Sequence, residues 1–396
     1  MKALVAGGGI GGVTAALCLI DAGIDVELFE RNAALGEVGA GIQISPNGVK
    51  VFERLGLKPA LDAIAFRPEA LEMRLGASGA QLFSIPMRDE AVRRYGAPYY
   101  HVHRADLMSV LAGALRERAP NAVRFGKDIQ AFAQSSNDVE LVFADGARAR
   151  GDVLVGADGI HSRVREQMLG AAPARFTGNV AWRLVVPANV LPKNLVPPTA
   201  CVWVGPGRHA VTYYLRRGEL VNFVGVVERA DWQTESWTEQ GDRAQLAADF
   251  AGWAKPIAAI VAEAAQCYRW ALFDRDPLAT WHEGRVALLG DACHPMLPFL
   301  AQGAVMAIED AWVLSRALKS KPGIEDALAA YEAARKPRTT RVQKGARAQT
   351  GLYHKRGLAA QIATYGPIWL AANLAPSFVH ARQDWLYSHD VVAMNP

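Results

Sequence analysis

Cysteine is scarce. Cys18, Cys201, Cys267 and Cys293 are scattered through 396 positions with no C-x-x-C spacing. That argues against a zinc site and a disulfide framework, and for a reducing, cytoplasmic compartment. Net charge is also small, 43 basic against 39 acidic residues leaving +4, and it is dispersed rather than gathered into a stripe. Nucleic acid is therefore not an expected partner. Charge is missing altogether from Ala3 to Ile20, but Gly7, Gly8, Gly9, Gly11 and Gly12 fall where a signal sequence needs its apolar core, and the run stops at Asp21. Neither export nor a membrane span is expected. What is plentiful is apolar: 51% of residues are hydrophobic and 21% charged, which excludes a disordered chain. At this length two packed domains sharing a cleft are expected.

Ala3-Leu4-Val5-Ala6 is a short apolar run ending at glycine, as a buried parallel strand would be. A helix follows from Gly11 to Ala22, then a second strand, Asp25 to Phe29, ending at Glu30. Within this strand, turn and helix, Gly7-x-Gly9-x-x-Gly12 gains meaning: a tight turn, backbone access to a pyrophosphate, and close packing of helix on strand. Glu30 is placed to accept the hydroxyls of an adenosine ribose and would repel a 2′-phosphate, so FAD or NAD is expected rather than NADP.

Two later segments repeat the theme of a buried strand ending in glycine. Asp152 to Val155 runs into Gly156-Ala157-Asp158-Gly159 and a basic helix. Val286 to Leu289 runs into Gly290-Asp291-Ala292-Cys293-His294-Pro295, after which Ala301-Gln302-Gly303 opens an apolar helix. These residues, with Gly36-Glu37-Val38-Gly39-Ala40-Gly41-Ile42, Pro46-Asn47, His103-Arg104-Ala105-Asp106-Leu107 and the late Asp384-Trp385-Leu386 and His389-Asp390, carry a resemblance over nearly the whole chain. The chain resembles the single-component FAD-dependent aromatic hydroxylases, the p-hydroxybenzoate hydroxylase-like group, in the branch holding salicylate hydroxylase, 3-hydroxybenzoate 6-hydroxylase and 6-hydroxynicotinate 3-monooxygenase.

The resemblance implies an α/β fold: a Rossmann-like FAD-binding domain from 1–70, 100–170 and 270–344, an interposed antiparallel-sheet substrate domain from 71–99 and 171–269, and a helical C-terminal tail from 345–396. It implies FAD as cofactor, NADH or NADPH as a transient reductant, and oxygen transfer through a C4a-hydroperoxyflavin. No second complete glycine-rich unit is present to house the reductant. By resemblance Gly7, Gly9, Gly11, Gly12, Glu30, Arg31, Gln43, Arg104, Ile129, Asp291, Gly303 and Ala304 hold FAD. The helix starting near Gln302 would aim its positive end at the flavin and stabilise the anionic reduced ring. Asp158 reads as a turn organiser, and Cys293 and His294 lie inside a flavin motif, so neither a redox nor a metal role is assigned to them.

Between Ala171 and Arg269 the pattern changes to strands rich in β-branched and aromatic residues: Val180 to Val186, Cys201 to Val204, His209 to Leu215 and Leu220 to Val227. His209 and Tyr213 are four apart on one strand, so both project from one face about 13 Å apart along it. Relatives that hydroxylate phenolic acids or hydroxypyridines carry this pair, which orients the substrate hydroxyl and assists its deprotonation. These two are the expected catalytic residues. Arg183 is the candidate cation for a substrate carboxylate, Pro298 and Phe299 an apolar wall, and Cys201 a near neighbour whose ordinary role is core packing. Relatives acting on 6-hydroxynicotinate place histidines where this chain has Gln43 and Phe299. A carbocyclic phenolic acid such as salicylate or a hydroxybenzoate is therefore expected. A hydroxypyridine acid, or an oxidase or dehydrogenase chemistry without oxygen insertion, is the alternative. The quaternary expectation is a monomer or a homodimer.

Overall fold

Residues 1–36, 40–229 and 239–394 are described by the structure, a computed structural model. Of the glycine-rich segment starting at Gly36, Glu37, Val38 and Gly39 lie outside the described residues. The opening strand Lys2–Ala6 lies inside a six-stranded sheet, parallel to Val153–Gly156 on one side and to Asp25–Glu30 on the other. Val123–Phe125 and Val286–Leu288 extend the parallel run outward, and the short His282–Glu283 closes one edge antiparallel. Ala3, Leu4, Val5 and Ala6 are all fully buried, the pattern of a strand covered on both faces. Helix Ile10–Asp21 returns over this sheet and packs against helix Gly303–Ser320.

A second sheet of seven strands runs in the order Tyr268–Asp274, Arg175–Pro187, Leu220–Glu228, Arg208–Leu215, Ala200–Gly205, Ala70–Leu75, Gln81–Pro86. It is antiparallel at every join but one: Ala200–Gly205 pairs parallel with Ala70–Leu75, so the expected antiparallel sheet is mixed where the strand from the early part of the chain is inserted. Alternation gives the sheet two distinct faces. Trp182, Trp203 and Phe223 pack with Leu246, Ile257 and Ile260 on the outer one. Ala181, Val204, Val226 and Trp270 pack with Phe299 and Tyr353 on the inner one, which looks toward the cofactor-binding sheet. Two smaller sheets complete the strands: Gly41–Ile44 with Tyr100–His103, and a meander of Ile129–Gln134, Val139–Phe143 and Arg148–Gly151.

Helix Ile324–Tyr353 runs without interruption across position 344, where the sequence reading divides tail from cofactor-binding domain. Within the tail, helix Leu358–Leu374 runs through Pro367. Proline removes a single amide, and Ala363, whose carbonyl loses that partner, is exposed to water. Among the described residues no helix is long and apolar enough to cross a membrane.

Candidate active site

Two hollows meet over the carboxyl ends of the parallel strands. The first, about 740 Å³, is lined by Gly7, Gly8, Gly9, Glu30, Arg31, Ile129 and Asp158 among others. Its turn is built by glycine. Gly7 has φ +103°, and a Cβ on Gly12 would overlap the Gly7 carbonyl oxygen, so helix and strand approach as closely as backbones allow. Gly9 differs: nothing lies within 4 Å of where its Cβ would be. The space beside it is left for a ligand rather than for packing. Glu30 is held in place by three donors, the Gly8 amide at 2.8 Å, the Asn32 amide at 2.8 Å and the Asn32 side chain at 2.6 Å, and it still borders the hollow. Asp158 accepts from Ser162 Oγ at 2.5 Å and from the Arg163 and Val164 amides at 2.8 and 3.2 Å, which is turn organisation and helix capping.

The second hollow, about 520 Å³, shares Gly9, Ala157 and Gly159 with the first. The two hollows form one continuous channel in which a dinucleotide would be held by Glu30 at one end, by Gly9 at the neck and by the second chamber at the other end. On the cofactor side this chamber is lined by Gly11, Gln43, Arg104, Asp291, Gly303 and Ala304. Gln43 is fixed by the Tyr99 hydroxyl, which donates to its Oε1 at 2.6 Å. Asp291 is exposed to the chamber it lines, and its depth in the protein raises its pKa while His294 and Arg104 pull it down. Helix Gly303–Ser320 begins here with no acidic residue in its first turn, so its amino end offers unpaired amides and positive potential to the flavin.

That helix rests on a buried ionic frame that sequence reasoning missed. Glu309 accepts from Asn47 Nδ2 at 2.6 Å and pairs with Arg335 at 2.6 Å and Arg338 at 2.8 Å. Asp310 pairs with Arg335 at 2.7 Å and with His294 at 2.5 Å. His294 is thus a structural partner of Asp310. The signal was present as Glu309-Asp310 inside an apolar helix, answered by Arg335 and Arg338 three apart in the next one.

The sheet side of the second chamber is ordered by register. His209 stands opposite Val204 and Val226, Val211 opposite Val202 and Val224, and Tyr213 opposite Asn222. Val202, Val211 and Val224 make an aliphatic floor with the histidine at one rim and the tyrosine at the other. Arg183 pairs with Val224 on the far side of that floor, lines the chamber, and lays its guanidinium 4.6 Å from the Trp270 ring centre. Pro298 and Phe299 cover the floor, Phe299 meeting the His209 ring edge on at 4.9 Å. Gly41 is required beside Tyr213, since a Cβ there would come within 2.8 Å of the phenolic oxygen. Cys201 is a correction. It pairs with Thr212, the residue between His209's row and Tyr213's that faces away, and it lies buried in the outer core with Trp182 and Trp203. Its neighbours Ala200 and Val202 face the chamber in its place.

Burial drives the His209 pKa well below its ordinary value, with His354 adding to the effect. The same burial raises that of Tyr213 although Arg183 and Arg104 oppose it. At neutral pH the histidine is an uncharged acceptor and the tyrosine an uncharged donor. Two further contributors come from the tail: Tyr353 and Tyr387 also line the chamber, the second lying between the two halves of the late motif Asp384-Trp385-Leu386 and His389-Asp390.

Residues 1–346 match the FAD binding domain family. The chain is 41% identical over 353 residues to a 3-amino-4-hydroxybenzoate 2-monooxygenase of Streptomyces platensis, covering 88% of each protein. It is 36% identical over 395 residues to the 6-hydroxynicotinate 3-monooxygenase of Bordetella bronchiseptica, covering 98% of this chain and 95% of the relative. Among solved structures it resembles Klebsiella pneumoniae HpxO complexed with FAD and uric acid, at TM-score 0.85 and 30% identity over 96% of both chains. With a dinucleotide channel of this shape and relatives matched along almost their full length, the chain belongs to the FAD binding domain family and is a flavoprotein aromatic-ring monooxygenase.

Proposed function

We propose that the chain hydroxylates a small phenolic aromatic acid of the hydroxybenzoate or salicylate type, using NADH or NADPH and dioxygen. The observation that carries this is the inner face of the substrate sheet: an aliphatic floor sized for one ring, with His209 and Tyr213 at its rims and Arg183 at its side. FAD, when bound, supplies the redox chemistry, taking electrons from the nicotinamide and activating dioxygen. The protein's part is to bind, orient and deprotonate. Val202, Val211, Val224 and Phe299 sandwich the ring, and Arg183 takes the carboxylate. A phenol of pKa near 10 does not ionise unaided at neutral pH. His209, uncharged, accepts its proton, while Tyr213, still protonated, orients the ring by hydrogen bonding from the opposite rim. The ring becomes electron-rich, as electrophilic oxygen insertion requires.

A carbocyclic ring is favoured over a pyridine because Pro298, Phe299 and Leu300 make an apolar wall to the chamber. The relative at 41% identity is named for a hydroxybenzoate carrying an amino group, so aminated hydroxybenzoates belong in the test. We further propose a cytoplasmic protein, monomeric or homodimeric. The test is a screen of hydroxybenzoates, aminohydroxybenzoates and hydroxynicotinates for stimulated NADH and NADPH oxidation, with products identified by mass. A phenolic acid that gains one oxygen is expected; stimulated oxidation that yields peroxide alone from every ligand would overturn the reading.

A further inference from the structure

His209 does not end at its own ring. Its Nδ1 lies 2.7 Å from Nε2 of His354, and His354 Nδ1 lies 3.0 Å from Oε1 of Glu228. The two histidine residues are 1% and 5% exposed, whereas the Glu228 side chain is 33% exposed and also pairs with Arg356 at the surface. We propose that His354 and Glu228 extend His209 into a relay that carries the substrate's hydroxyl proton from the closed chamber to solvent. This rests on the assignment of His209 as the group that takes that proton.

Chemistry fixes the direction. The Glu228 carboxylate accepts only, so His354 must present Nδ1–H to it, which leaves Nε2 of His354 as an acceptor. Nε2 then accepts Nδ1–H of His209, and the remaining nitrogen of His209, Nε2, is a bare lone pair on the residue that lines the chamber. Glu228 thereby sets the tautomer of a ring two partners away. In the transfer the substrate O–H bond breaks and His209 Nε2–H forms. His209 Nδ1–H breaks and His354 Nε2–H forms, then His354 Nδ1–H breaks and a Glu228 carboxyl O–H forms. Glu228 is held below its ordinary pKa by Arg356 and His354, so it passes the proton to water. Run backwards, the chain returns a proton to the product oxygen and restores both tautomers. Around the pair, Phe299 and Tyr353 pack on His209, and Arg356 and Glu228 are the charged groups acting on His354. Without this route a proton taken by a fully buried histidine would remain there as an unpaired charge.

The experiment uses the FAD-loaded protein and a nitro-substituted hydroxybenzoate, whose phenolate is coloured, at a pH where it is protonated in water. Rapid mixing follows phenolate formation on binding. The parent protein is expected to ionise the ligand quickly. His354→Ala and Glu228→Gln, the second at a part-exposed position that spares the core, are expected to bind it yet ionise it at least about tenfold more slowly, and added imidazole should restore the His354→Ala rate. Variants that ionise the ligand as fast as the parent would overturn the relay and leave the function standing. A parent that binds the ligand and leaves it protonated would overturn both.

Discussion

At Gly9 the turn offers a clean separation of folding from ligand binding. It is the residue preceding helix Ile10–Asp21, with φ −73° and open space beside it. Aspartate is favoured at such a position and complements the helix dipole, but its charge would face the pyrophosphate. Gly9→Asp is therefore expected to leave the thermal midpoint of the apoprotein unchanged or raised, while FAD affinity measured by fluorescence quenching falls by at least about tenfold, ~1.4 kcal/mol. The converse separation holds on the substrate sheet. Tyr213→Phe and His209→Ala should retain FAD and lose hydroxylated product by chromatography. Coupled turnover equal to the parent in both would remove them from the site. That these two share a face was legible from their spacing. Which face Cys201 takes was not, because alternation within a strand does not say which residue of the neighbouring strand stands opposite, and pairing with Thr212 turns the thiol outward.

Helix Gly303–Ser320 shows what local pattern reaches and what it does not. Its start after Gln302 and its apolar stripe were readable. The frame beneath it was not, because Arg335 lies 25 residues from Asp310 and Arg338 29 from Glu309, on the next helix, and only the packing of two helices brings them together. Removing Arg335 would take the shared cation from two buried carboxylates, leaving Glu309 with Arg338 and Asn47 and Asp310 with His294. Arg335→Met is expected to cost about 3–5 kcal/mol in denaturant unfolding and to weaken flavin binding as the helix start loosens. The same frame predicts acid sensitivity. The Glu309 pKa is lowered to about 2 by Arg335 and Arg338 against the opposing effect of burial, and that of Asp310 is lowered as well. With folded pKa values below those of the unfolded chain, this stabilisation is complete above about pH 4.5 and is lost as pH falls toward 2. Thermal midpoints measured across that window should fall with decreasing pH, and a flat profile would contradict the ionic assignment.

Over the whole molecule, the βαβ opening was expected from the order of strands and helices, and the plan of a cofactor sheet with an interposed substrate sheet from the resemblance. The way the chain's end closes the chamber was not. Gln383, Leu386 and Tyr387 form part of the chamber wall, Asp384 is tied to Arg94, and Arg338 donates to the carbonyls of Trp385 and Leu386. The short helices Pro376–Ala381 and Asp384–Tyr387 carry too little periodicity to announce such a role. Ending the chain after Ala375 should leave FAD bound through the parallel sheet but admit water to the flavin. The expected readout is NADH oxidation that continues with peroxide replacing hydroxylated product. Full coupling in the shortened protein would show that the wall is dispensable.

The neck formed by Gly9, Ala157 and Gly159 between the two chambers has a consequence for selection among nucleotides. With FAD laid along both chambers, adenylate alone would fill one compartment and riboflavin phosphate alone the other, and each on its own would meet the full entropic cost of association. Tethered in one molecule, the second half docks at high effective concentration once the first is seated. Discrimination against free mononucleotides in a cell thus follows from the length of the corridor itself.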